Sequence, residues 1–280
     1  YRSLERYLED VQKPEVVKIQ EETMTSILTD QAYVELREGD KLEALTRIID
    51  MEEIFYGIVF CRTKVQCDEV GQKLAQRGYD AEALHGDLSQ NQRESILGRM
   101  REKRLSIIVA TDVAARGIDI SDLTHVINYS VPEAPEAYIH RVGRTGRAGK
   151  RGMAITFVTP REYKRFAFIK RIAKSDIEKI AIPEAGQIIK AKRERILASL
   201  TEIIENSEIN AQYPKMANTL LHDRDAKHVL SAVLQHFYAD QLDYDKYREI
   251  APTRERGGRE EDGMTRLFIA RGRRDGLDKR

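Results

Sequence analysis

Between Asp40 and Val158 the chain alternates short, continuous apolar runs with stretches of helical period, and this alternation restricts it more than any other feature. The runs Ile54–Cys61, Ala81–Leu84, Leu105–Ala110, His125–Tyr129 and Met153–Val158 predict strands. They are too evenly apolar to keep one face in water, so they suit a sheet buried on both faces. Between them, Leu42, Leu45, Ile48 and Ile49 form a helical stripe behind a capping-box-like Asp40 and Glu43. A second helix is predicted from Lys64 to Arg77, stopped by Gly78. A third is capped by Ser89 with Gln92 three residues on, and a fourth opens at Pro135. Strands and helices of these lengths, joined by right-handed crossovers, imply an α/β fold with a parallel sheet and helices on both faces. Such sheets bind their ligands beyond the carboxyl ends of the strands.

Near Pro183 the alternation stops. Ile196, Leu200, Ile203 and Ile204 share one helical face, and Val229, Leu230, Val233, Leu234 and Phe237 share another, with Met216, Leu220 and Leu221 on a helix between. This predicts a compact all-α module. Thr253–Gly263 reads as a charged linker, and Met264–Ala270 as a strand followed by a basic turn. Tyr1–Asp30 reads as a helix, a short extended piece after Pro14 and a polar linker. The expected segments are therefore 1–30, 31–183, 184–250 and 251–280.

At 280 residues there is length for one large or two ordinary domains. No run of about 18 apolar residues occurs, and the first residues are charged, so neither a membrane span nor a signal peptide is expected. Cys61 and Cys67 form no CxxC, which suits a reduced, cytoplasmic setting. The net charge is only +1, so any nucleic-acid surface must be local.

The polar clusters fall where the sheet rule points. Arg62-Thr63-Lys64 follows the first apolar run, His85-Gly86-Asp87 the second and Thr111-Asp112 the third. Ser89 adds a helix N-terminus, and the turn Ala115–Asp119 adds amide and guanidinium donors. Taken singly, Ser89 is a cap and His85 a turn residue; together at one edge they suit a bound polyanion. The densest positive charge lies in His140–Arg151, where Arg144 and Arg147 would face the same way on a helical turn. Two guanidiniums among glycines suit a phosphoryl group, although the same spacing also describes a solvated basic loop. Walker A spacing fails, because Arg144 stands where its first glycine would be. Metal chemistry finds no support in the spacing of His222, His228 and His236 or of the cysteines, and no GxSxG elbow occurs.

Four segments, IVFCRTK (Ile58–Lys64), ALHGDLSQNQ (Ala83–Gln92), VATDVAARGIDI (Val109–Ile120) and HRVGRTGR (His140–Arg147), resemble in order and spacing the motifs of the second RecA-like lobe of DEAD-box RNA helicases. The resemblance covers roughly Gln31–Pro183. It implies a RecA-like lobe of an ATP-dependent RNA helicase that opens short duplexes with RNA-stimulated ATP hydrolysis. Arg144 and Arg147 would be arginine fingers on the γ-phosphate, Gly117 and Asp119 would touch the nucleotide, and His140 would link to the other lobe. Thr63, Gly86, Gln90, Arg93, Thr111 and Arg116 would hold the RNA backbone. The family's Walker A, Asp-Glu-Ala-Asp and Ser-Ala-Thr motifs do not occur here. ATP with Mg2+ would thus be bound mainly by the first lobe, whose last helix and strand Tyr1–Ile19 resembles, and the chain alone is expected to be inactive. Residues 186–250 resemble the homodimerisation module of some bacterial members, with a monomeric helical appendage as the alternative. Gly263–Leu277 is similar to the opening of an RRM-like RNA-binding domain. The competing functional readings are a non-catalytic dimerising RNA-binding scaffold and a DNA helicase of the same superfamily.

Overall fold

A computed structural model of the chain describes residues 28–250, apart from 116, 117, 119, 121, 148, 174 and 175. The expectations for Tyr1–Ile19, the linker at 253–263 and the strand at 264–270 lie outside the described residues, as do Arg116, Gly117 and Asp119.

Among the described residues seven strands form one sheet: β1 (Thr29–Glu35), β2 (Gly57–Phe60), β3 (Ala81–Leu84), β4 (Ile107–Ala110), β5 (His125–Asn128), β6 (Gly152–Val158) and β7 (Glu178–Lys179). Their order is β3-β4-β2-β5-β6-β1-β7, and every pairing is parallel. The connecting helices are α1 (Lys41–Met51), α2 (Lys64–Gln76), α3 (Gln90–Arg101), the single turn α4 (Asp112–Ala115), α5 (Pro135–Val142) and α6 (Tyr163–Ala173). On β2 and just beyond it, Ile58 and Phe60 enter one core layer with residues of α3 to α6. Val59 and Cys61 enter the other layer with α1 and α2. Both faces are covered, as the unbroken apolar runs require.

Within the α/β lobe the structure departs from the sequence expectation at β1, at Ile54 and at Asp40. The sequence reading places no strand at Thr29–Glu35, which it divides between the polar linker that ends at Asp30 and the segment that starts at residue 31. β1 nonetheless lies between β6 and β7, burying Ala32 and Val34 on one side while Tyr33 packs on Phe166 on the other. The run from Ile54 is narrower than expected: Ile54 is 68% exposed and pairing begins at Gly57, where a Cβ would stand 2.6 Å from the His125 carbonyl. Asp40 and Glu43 do not form a capping box. A 3-10 turn at Glu38–Asp40 runs straight into α1, leaving Asp40 helical with no bond to the helix amides. Asp40 Oδ1 takes Arg248 instead (2.7 Å), and buried Glu43 pairs with Arg47 (3.1 Å) and Arg77 (3.3 Å).

After the lobe come α7 (Ala185–Asn206), α8 (Gln212–Leu221) and α9 (Ala226–Tyr238). Only the root of α7 is buried, through Ile188 and Ile189, and α8 and α9 bury no residue. Among the described residues of one chain, these helices therefore do not form the expected compact module. The root is held on α1 by polar bonds: Lys192 pairs with Asp50 (2.9 Å), Tyr247 Oη donates to Asp50 (2.6 Å), and Arg195 donates to the carbonyls of Asp50 and Glu52.

Candidate nucleic-acid and nucleotide interface

The carboxyl ends of β2, β3 and β4 carry the expected polar clusters side by side. Thr63 caps α2, its hydroxyl accepting from Gln66 N (3.1 Å). Ser89 and Gln92 make a complete capping box at the start of α3, which leaves Gln90 exposed on its first turn, bonded to Glu94. Gly86 lies exposed between them. Asp87 pairs with Lys64, so the turn after β3 is tied to the turn after β2. His85 is turned inward, bonded to Asp68 (2.8 Å), and serves the turn itself. Thr111 is buried at the end of β4, and the Arg93 guanidinium crosses from α3 to the Ala114 carbonyl.

From Thr111 the chain crosses one face of the sheet to reach β5, and α5 crosses beside it. Arg141, on the last turn of α5, locks the two crossings together. Its Nε and Nη2 hold Asp112 in a two-point bond (2.6 and 2.8 Å), and Nη1 donates to Asn128 Oδ1 (3.0 Å) and Ser130 O (2.8 Å). The guanidinium also stacks over Phe60 at 4.9 Å. Side chains on a helix lean toward its N-terminus, so an arginine from the last turn reaches back to the carboxyl ends of β4 and β5.

The backbone that carries Arg144 and Arg147 runs on toward the amino ends of the strands, while the Arg144 side chain still lines a cavity with Phe60 and Asp112. Between them Thr145 donates to Leu123 O, just before β5, and Gly146 packs against Leu28 and Thr29 at the start of β1. The segment is not helical: α5 ends at Val142, and Gly146 has φ +69°. Burial, and then repulsion from Arg147, lower the Arg144 guanidinium from its ordinary value. Each gives one N–H to a carbonyl, Arg144 to Ile118 (3.1 Å) and Arg147 to Gly143 (2.6 Å). Neither has a carboxylate partner among the described residues. A small cavity of about 60 Å³ between α4 and α5 is lined by His140, Arg144 and Asp112 among others. No group of three His, Cys, Asp or Glu among the described residues could hold a metal ion.

Residues 40–149 match the helicase conserved C-terminal domain. The DEAD-box ATP-dependent RNA helicase CshA of Geobacillus kaustophilus is 39% identical over 271 residues, covering 95% of this chain and 57% of the relative. The solved C-terminal domain of the DEAD-box protein Dbp5 is 31% identical with a TM-score of 0.53, covering 60% of this chain and 98% of that domain. The chain belongs to the DEAD-box family. It spans about half the length of the curated relatives it matches, 57% and 42% for two CshA proteins. The S. cerevisiae Dbp5 structure bound to RNA and ADP BeF3 is 28% identical with a TM-score of 0.57, over 69% of this chain and 52% of that one.

Among the DEAD-box motif residues, the structure brings Thr63, Gly86, Gln90, Arg93 and Thr111 to one edge, and His140, Arg144 and Arg147 to the end of α5. Sequence reasoning passed over Arg141. The available signal was periodicity: Tyr138, Arg141 and Val142 stand at i, i+3 and i+4, and all three are buried.

Proposed function

We propose that this chain provides the second motor lobe of an ATP-dependent RNA helicase, in which RNA binding and ATP hydrolysis are coupled. One observation carries the reading. Asp112 and Ala114 are held by Arg141 and Arg93, and Ile118, four residues on from Ala114, accepts from Arg144. A strand of RNA pressed on Thr63, Gly86, Gln90 and Thr111 therefore bears on the same segment that positions a phosphate-directed guanidinium. RNA occupancy and arginine placement share one mechanical element, which is what RNA-stimulated hydrolysis needs.

In this reading Arg144 and Arg147 reach the γ-phosphate of ATP when the two lobes close, neutralising charge as it develops on the transferring oxygens. Gly117 and Asp119 meet the nucleotide, Arg116 joins the RNA contacts, and exposed His140 faces the other lobe. ATP and its Mg2+ are held mainly by the first lobe, so the chain by itself hydrolyses no ATP. Contacts to phosphate and sugar carry little sequence information, which suits short duplexes of many sequences. The Dbp5 complex with RNA and ADP BeF3 supports the reading by likeness. Helices α7 to α9 join two copies, and the buried free Cys61 and Cys67 suit a reduced, cytoplasmic setting.

Arg147→Ala in the protein carrying both lobes is the test. RNA-stimulated kcat is expected to fall about a thousand-fold, the scale of a lost arginine finger, with RNA affinity in the absence of nucleotide little changed. Unchanged RNA-stimulated hydrolysis would exclude the arginine from the chemistry and favour an RNA-binding scaffold.

A further inference from the structure

A second cavity, of about 630 Å³, opens beyond the carboxyl ends of β1, β2, β5 and β6. Along the sheet order it begins at Thr63, where the row formed by Gly86, Thr111 and Thr63 leaves off, and continues past Ser130 and Thr159 to Arg37. Neighbouring strands stand about 4.8 Å apart, so three spacings from β2 to β1 give on the order of 14 Å of further edge. That is room for a further nucleotide and its flanking phosphates.

The charge on its walls is already sorted. Glu162 is saturated: Oε2 accepts from Lys41 (3.3 Å) and the Thr159 hydroxyl (2.9 Å), and Oε1 from Val131 N (3.3 Å). Glu38 pairs with the same Lys41 (3.0 Å). Arg37 and Arg161, both exposed on the rim, have no carboxylate partner among the described residues. Among the described residues Arg62 pairs with the exposed Glu133, at 3.3 Å, and with Glu162, at 3.8 Å. Thr63 accepts from Gln66 N and keeps its own hydroxyl proton to donate. The Gln66 amide oxygen takes both Arg62 N (3.0 Å) and Ser130 Oγ (2.9 Å), which leaves its Nε2 as the donating atom. Cationic forks, a hydroxyl and an amide suit phosphodiester and sugar oxygens.

Resting on the function proposed above, we infer that this cavity is an added subsite for the RNA strand, which takes the backbone of a nucleotide beyond those at Thr63, Gly86 and Thr111. A protein partner fits less well. Pro160 is the only apolar residue among those lining the cavity, whereas protein interfaces centre on buried apolar or aromatic anchors. With no aromatic platform, the subsite reads backbone and not sequence.

The test measures binding of labelled oligouridylates of graded length to the 280-residue chain at several salt concentrations. Arg37→Glu/Arg161→Glu is expected to weaken the long oligomers about ten-fold and to flatten their salt slope by about 1.4, for two phosphates at about 0.7 each. Oligomers only long enough for the Thr63–Gly86 track should bind as before. Both arginines are exposed, and an unchanged unfolding midpoint verifies the fold. No effect at any length, or an equal loss at every length, overturns the subsite. A polyglutamate peptide bound as tightly as long RNA, and lost in the same variant, overturns the RNA assignment. If the unaltered chain binds no oligouridylate of any length, the function proposed above falls and this inference with it. Length-dependent binding that the double variant leaves intact fells the subsite alone.

Discussion

Lys41 is 1% exposed, a position tolerable for an ammonium only because Glu38 (3.0 Å) and Glu162 (3.3 Å) pair with it. Burial alone would raise the Glu162 carboxyl, but Lys41 and the hydroxyl and amide of Thr159 outweigh it and hold the group below the ordinary carboxylate value of 4.5. Removing one partner of such a pair leaves a desolvated charge, so Glu162→Ala is expected to cost about 3 kcal/mol in urea unfolding. The pH dependence has a definite sign. A carboxylate whose folded pKa is depressed contributes stability above its unfolded value, and loses it as pH falls through the folded one. The gap in stability between the natural chain and Glu162→Gln should therefore be full at neutral pH and close progressively below about 4.5. A gap independent of pH would show that the carboxylate charge contributes nothing. Arg141 is 2% exposed and makes a harder demand, because its planar fork serves Asp112, Asn128 and Ser130 at once. Lysine carries the charge without the fork, so Arg141→Lys is expected to destabilise the lobe by about 2 kcal/mol.

The turn between α5 and β6 shows how an element places the chemistry. Gly146 has φ +69°, and a Cβ there would meet Thr29 Oγ1 at 2.1 Å and the Leu28 backbone at 3.3 Å. Gly146→Ala combines left-handed strain of about 1–2 kcal/mol with a clash against β1. It is expected to lower the unfolding midpoint and, in the protein with both lobes, to reduce hydrolysis more than RNA binding. Equal effects on both would mean that the turn does not set the arginines. The same elements mark what sequence can convey. β2 and β4 were legible because strands covered on both faces must be apolar throughout. β1 was not, since the polar residues of TDQAYVE hide a strand that pairing alone recruits. Ser89 with Gln92 and Asp40 with Glu43 present one spacing, yet only the first is a cap, because a 3-10 turn precedes the second. At the site, the row Thr63, Gly86 and Thr111 followed from the sheet rule. The course of the backbone at Arg144–Arg147 past that row, toward the start of β1 and β5, did not, since it depends on how far α5 runs back across the sheet.

At the scale of the molecule, α7 to α9 are the described helices that bury least within one copy. Beyond the root of α7, these helices leave Ile203, Ile204, Met216, Leu230 and Phe237 exposed, Phe237 by 68%. Short helices owe their stability to packing an apolar face, and contiguous exposed apolar residues mark an interaction surface. Each of the three has an amphipathic stripe and no core within one copy, so a second copy supplying the opposite stripes satisfies both at once. A twofold arrangement is the simplest closed one. The root should not take part, because Asp50, Lys192, Arg195 and Tyr247 fix it to α1 within the same chain. Sedimentation equilibrium of the chain at micromolar concentration is therefore expected to give twice the 32.2 kDa chain mass. Phe237→Glu or Leu234→Glu should return it to one chain mass with the unfolding of the α/β lobe unchanged, because neither side chain is buried within a single copy. A natural chain sedimenting as a monomer would leave the three helices as an appendage and end the dimer reading. A variant that stays dimeric would move the interface off α9 and onto the faces of α7 and α8.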